Sequence, residues 1–163
     1  MPDFWRKELW HPVSVHFPLA LLLVATLFFF ISLFRSEFPK NTFKNAALMI
    51  SILGVVGAWI SIYTGDMADG IVSRKICDPT VLKDHELAAE TMTYLFTAAA
   101  LIQIPLYFNV FGAKLQKISP FIILTCMLIG SAFLVRTGHL GASVVYQQGA
   151  GVYKHSVDCD EFR

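Results

Sequence analysis

Histidine is the most chemically capable residue in this 163-residue chain, and four of its five histidines border long apolar runs. His11 and His16 open the stretch "WHPVSVHFPLALLL", His85 precedes a second apolar run, and His139 follows a third. Imidazole can ligate a metal ion, hold haem iron axially or carry a proton near neutral pH. A histidine within an otherwise apolar turn is costly unless it finds a partner, which points to a polar role for His16. Arg136 lies one turn from His139 on the same helical face, where a guanidinium suits a haem propionate. Glu86 and Glu90 share a face beside His85, and Asp66 follows Gly65, where turn chemistry is a better explanation than a ligand role.

Helices must position these groups. The composition is 55% hydrophobic and 15% charged, with a mean hydropathy of +0.57, well outside the range of ordinary soluble chains. Segments 12–34, 45–65, 91–112 and 118–135 hold no Asp, Glu, Lys or Arg, and each is close to the length a helix needs to cross hydrocarbon. Backbone polar groups in lipid must be satisfied within their own segment, so the fold expected is an all-α integral membrane four-helix bundle, without sheet. It forms one domain over 1–163, with helices at about 12–34, 45–64, 80–109 and 119–146, an outer loop 65–86 and an outer C-terminal tail. Gly65 predicts the end of the second helix, and Asp78-Pro79 the start of the third. Gly54, Gly57, Ala58, Ser61 and Gly65 form a small-residue stripe that predicts close helix packing. No heptad repeat or low-complexity tract is evident. The first apolar run exceeds a signal-peptide core and lacks a small-residue cleavage site, so it is expected to remain as a span.

Charge gives an orientation. The connections after the first and third spans carry Arg35, Lys40, Lys44, Lys114 and Lys117 against Glu37 alone, whereas loop 65–86 is net acidic. The excess of Lys and Arg places the two tight connections in the cytoplasm and both termini on the periplasmic side. All four helix-edge histidines, and His155 in the tail, then share that side. Cys77 and Cys159 share it too, and a disulfide between them fits an oxidising compartment.

"HPVSVHFPLALL" and "RTGHLGASVVYQQGAGV" resemble the end motifs of the bacterial four-span membrane family catalogued as domain of unknown function 2231. Its pattern is matched at His11, Pro12, Val15, His16, Phe17 and Pro18, at Gly65 and Asp66, and at His85. It is matched again at Gly138, His139, Gly141, Val145, Tyr146, Gly149, Gly151 and Val152, while Ala142 stands where the family has a glycine. The resemblance implies a multi-pass protein of the bacterial inner membrane. Some members look like membrane modules fused to Rieske iron–sulfur domains, which implies electron transfer. This chain lacks the Rieske cysteine–histidine boxes, so such a partner would be a separate protein.

The leading expectation is a b-type haem electron-transfer subunit with its redox site at the periplasmic face. One haem would be ligated by two of His16, His85 and His139, with His16/His139 and His85/His139 the leading pairs and Arg136 near a propionate. Electrons would pass from quinol or to a periplasmic carrier such as cytochrome c or a Rieske-type protein. The alternatives are a non-haem Zn, Cu or Fe site held by His11, His16, His85 and His139 with Asp66 or Glu90, or a structural subunit of a respiratory complex. No Ser, Cys or Thr has the base-partnered pattern of a nucleophile. A net charge of +1 without a basic patch gives no support to nucleic-acid binding.

Overall fold

The computed structural model describes residues 5–34 and 42–152, and these are helical without a strand. A short 3-10 turn, Lys7–Leu9, leads into α1 (Trp10–Phe34), followed by α2 (Thr42–Val72), α3 (Pro79–Tyr107) and α4 (Ala113–Tyr146). All four helices are long and apolar enough to cross a membrane. They run up, down, up and down. α1 packs chiefly on α2 and α3 on α4, and the two hairpins meet along an α2/α3 seam and a looser α1/α4 seam. The start of α1, the end of α2, the start of α3 and the end of α4 therefore share one end of the bundle, here termed the histidine end.

α2 departs from the sequence expectation: it passes through Gly65 unbroken and ends at Val72, so Asp66 and Asp69 are helical. A glycine costs a helix only about 1 kcal/mol relative to alanine, and here close packing requires it. A Cβ at position 65 would lie 3.2 Å from His11 Nδ1. The expected loop 65–86 contracts to a short turn in which the Ser73 amide donates to the Asp69 carbonyl and that of Lys75 to the Val72 carbonyl. α3 begins at Pro79, as Asp78-Pro79 predicts, and α4 starts earlier than expected, at Ala113.

Lipid supplies no hydrophobic drive between helices, so the bundle must cohere through close contact and polar links. Leu22 of α1 lies against Gly54 of α2, where an added Cβ would meet its side chain at 2.7 Å; Phe96 of α3 lies against Gly130 of α4 in the same way, at 2.9 Å. Pro18, inside α1, lays its ring on Gly57, with its Cβ 3.2 Å from where a Cβ would stand there.

These pairings are two instances of one plan. The interval from His11 to Leu22 is repeated from His85 to Phe96, and that from Gly54 to Gly65 is repeated from Gly130 to Gly141. Burial follows the same register. In the first helix of each hairpin, Leu22, Ala25 and Phe29 correspond to Phe96, Ala99 and Gln103; in the second helices, Ala47, Ser51, Ala58, Ser61 and Ala68 correspond to Ile123, Met127, Leu134, Thr137 and Val144. All of these residues are buried. The chain is thus a tandem pair of helical hairpins around a pseudo-twofold axis.

If the two glycine contacts are equivalent, Gly54→Ala and Gly130→Ala should each lower stability by about 1–3 kcal/mol through overpacking. Thermal unfolding in detergent would measure this, and adding Leu22→Ala should relieve the first substitution while leaving the second unrelieved.

Candidate functional site

The pseudo-twofold plan brings one histidine from each hairpin to the axis at the histidine end. His11 Nδ1 lies 2.9 Å from the backbone carbonyl of Ser61 on α2, and His85 Nδ1 lies 3.0 Å from that of Thr137 on α4. A carbonyl can only accept, so both rings carry a proton on Nδ1, which in the neutral imidazole leaves Nε2 with a free lone pair. The Ser61 and Thr137 hydroxyls bond back to the carbonyls of Gly57 and Phe133, a common habit of Ser and Thr in apolar helices, and the Ser61 carbonyl also accepts from the Thr64 hydroxyl at 3.1 Å.

One turn further along each helix stands the glycine that makes room for the ring. A Cβ at Gly65 would come within 3.2 Å of His11, and one at Gly141 within 3.1 Å of His85 Cε1. The two imidazoles face one another edge to face, with centroids 5.9 Å apart and planes at 85°.

They border a cavity of about 390 Å³ between the hairpins, within the usual size range of small-molecule sites. Its walls are mostly small or apolar, among them Pro12, Val15, Leu19, Ala58, Ala89 and Val144. The ionisable groups on its lining are Glu8, His11, His16, Asp66, Asp69, His85, Glu86 and Glu90. No three His, Cys, Asp or Glu among the described residues are grouped to hold a metal ion.

The sequence-predicted residues divide accordingly. His85 is at the centre of the site, but its near partner is His11 and not His139. His139 and Arg136 are exposed on α4 and do not line the cavity, so the pairs His16/His139 and His85/His139 are not brought together. The reason is rotational. The register that turns Thr137 and Gly141 inward, onto His85, turns the intervening His139 outward. His16 lines the cavity from an exposed position, five residues and so about 7.5 Å along α1 from His11. Asp66, Glu86 and Glu90 all border the cavity. Cys77 is exposed beyond α2, while its expected partner Cys159, like His155, lies outside the described residues.

Sequence reasoning missed three things: that His11 is drawn inward, that Asp69 is helical, and that Glu8 reaches the cavity. Glu8 is ion-paired with Arg6 ahead of α1. The available signal for His11 was the matching interval from each histidine to the large apolar residue on its helix.

A cap fixes the height of His85. The Asp78 carboxylate accepts from the Thr80 hydroxyl at 2.6 Å and from the Thr80 amide at 2.9 Å, and the Asp78 amide donates to Gln148 Oε1 at 3.1 Å. α3 is thereby anchored to the chain just past α4, where Gly149 and Gly151 take left-handed backbone (φ +71 at each).

A family model described as "Predicted membrane protein (DUF2231)" matches residues 9–154 of the chain. No curated protein and no solved structure matches it.

The Thr80 hydroxyl, and then the Thr80 amide, hold the Asp78 carboxyl below the usual carboxylate range. A carboxyl lowered by folding stabilises the cap above its unfolded value of about 3.9, and that contribution is lost as pH falls through the folded value. Asp78→Ala should therefore speed amide hydrogen exchange in Thr80, Val81 and Leu82 at neutral pH while leaving the middle of α3 protected, as mass spectrometry of that segment would show.

Proposed function

The chain belongs to the DUF2231 family of predicted membrane proteins, and we propose that it works there as an electron-transfer subunit binding one b-type haem between its hairpins, with His11 and His85 as axial ligands. The observation that carries this reading is a shared hydrogen bond: both rings direct Nδ1 at a backbone carbonyl, which in the neutral imidazole leaves Nε2 free for a metal. Metal-ligating histidines commonly donate their other ring N–H to a carbonyl in this way, which orients the ring and raises its basicity. The 5.9 Å between centroids puts both rings within reach of one metal ion bound through bonds of about 2 Å, once the ring that presents its face turns its Nε2 edge inward. Among the described residues no third His, Cys, Asp or Glu is grouped with them, and a haem would need no more than these two protein ligands.

The positive-inside count supports a histidine end that faces the periplasm of a bacterial inner membrane. There the site could serve a cytochrome c or a Rieske-type protein as acceptor. A non-haem Zn, Cu or Fe site is the second reading, favoured by Asp69 and Glu86 on the lining of the same cavity. The test covers both.

Protein purified in detergent should show the sharp reduced-minus-oxidised bands of six-coordinate b haem. His11→Ala and His85→Ala should each abolish them, and His139→Ala should leave them unchanged. Colourless protein with stoichiometric zinc, copper or iron by elemental analysis would instead support the second reading; loss of the bands in His139→Ala alone would restore the sequence-based ligand pairs.

Sidedness has its own test. In intact cells under mild reduction, a membrane-impermeant maleimide should label exposed Cys77, while an impermeant amine reagent should leave exposed Lys114, at the other end of the bundle, unmodified until the cells are lysed. The reverse pattern would invert the topology.

A further inference from the structure

The pseudo-twofold axis makes the two seams equivalent in backbone plan, so differences in their side chains can be compared position by position. On the membrane-facing side of the α2/α3 seam, Trp59 and Tyr94 meet edge to face at 5.6 Å, and the Trp59 indole N–H donates to Thr97 Oγ1 at 3.2 Å. The corresponding positions of the α1/α4 seam hold Val135, Ala20 and Leu23. These are smaller, and none can donate or accept a hydrogen bond through its side chain. At these positions one seam is bridged and its counterpart is not; the α1/α4 link, Thr26 with Ser131 at 3.4 Å, lies further from the histidine end.

The contrast continues where each seam meets the cavity. α2/α3 presents Asp69, Glu86 and Glu90, and the positions that match them on α1/α4 are Val145, Pro12 and His16. Ile62 of α2 is matched by Gly138 of α4, where an added Cβ would meet nothing within 4 Å. Carboxylates repel an apolar chain arriving from lipid, because burying them is costly. The α1/α4 mouth is apolar, spacious and polar only at His16. That imidazole stands within a membrane span, exposed and bordering the cavity, and has no hydrogen-bond partner among the described residues.

We propose that the α1/α4 seam is a lateral portal that admits a lipid-dissolved hydroquinone to the histidine cavity, with His16 accepting a hydrogen bond from the quinol hydroxyl. The proposal builds on the electron-transfer reading above and supplies its reductant. A ligand entering here must partition into hydrocarbon, be flat enough to pass between two helices and carry a hydroxyl donor for an imidazole. A hydroquinone with an isoprenoid tail has all three properties. Its oxidation to the quinone would release two electrons, for which a haem held by His11 and His85 would supply a one-electron acceptor used twice, and two protons, which His16 is placed to pass to water at the histidine end.

Photoaffinity mapping with a short-tailed azidoquinone, on the full chain in lipid nanodiscs, tests the portal separately from haem binding. Competable label is expected on α1 between Pro12 and Ala20 and on α4 between Val135 and Val145. Gly138→Trp should reduce it about tenfold by filling the mouth, and His16→Ala should weaken it by a similar factor, equivalent to about 1.4 kcal/mol. Trp59→Ala, on the other seam, should leave the labelled positions unchanged. Thermal unfolding of each variant separates a blocked mouth from a lost fold. Label concentrated at Trp59 and Tyr94, or label that excess unlabelled quinone does not displace, would overturn the proposal. A normal labelling pattern in protein without haem bands would leave the portal standing and overturn the haem reading alone.

Discussion

Everything at the histidine end depends on where two backbone carbonyls point. The Ser61 and Thr137 carbonyls each accept from an imidazole on the neighbouring helix of the same hairpin, and an α-helix can offer an interior carbonyl only when the approaching group comes very close. Gly65 and Gly141 permit that approach. The bond then fixes the tautomer, and the tautomer fixes which nitrogen is available for chemistry. Ring orientation, local helix spacing and ligand capacity thus follow from one hydrogen bond, made twice.

The duplicated plan explains how so small a chain can build such a site. Each hairpin contributes one imidazole, one accepting carbonyl and one glycine, and the cavity forms where the hairpins meet. A site on the axis needs only one functional histidine per hairpin, and the remaining positions at each seam are free to diverge. They have diverged strongly. Asp69, Glu86 and Glu90 mark one seam, and Val145, Pro12 and His16 the other.

Four helices were legible because long segments free of charge have few alternatives in lipid, and the start of α3 was legible from Asp78 and Pro79. The continuation of α2 past Gly65 was not. Local propensity treats glycine as a stop, whereas here it accommodates a ring from another helix. The gathering of histidines at one end could be read from topology, since helix count and loop charge require nothing further. Which of them meet could not, because a register shift of two residues in α4 would exchange the inward Thr137 and Gly141 for the outward His139. The repeat was hidden by divergence: Leu22 and Phe96 fill corresponding positions, as do Ser51 and Met127 and also Phe29 and Gln103, and each of these pairs preserves burial without preserving residue type.

The polar links between hairpins are unevenly spread. Trp59 with Thr97 at 3.2 Å and Gln103 with Ser51 at 3.4 Å join α2 to α3, while Thr26 with Ser131, also at 3.4 Å, is the one such link between α1 and α4 among the described residues, on the more loosely packed seam. In mechanical terms the bundle has a stiff edge and a compliant one, like a book bound along α2/α3. A small rotation of one hairpin against the other would barely alter the spacing at the spine, but it would change the width of the fore-edge, and with it the gap between His11 and His85.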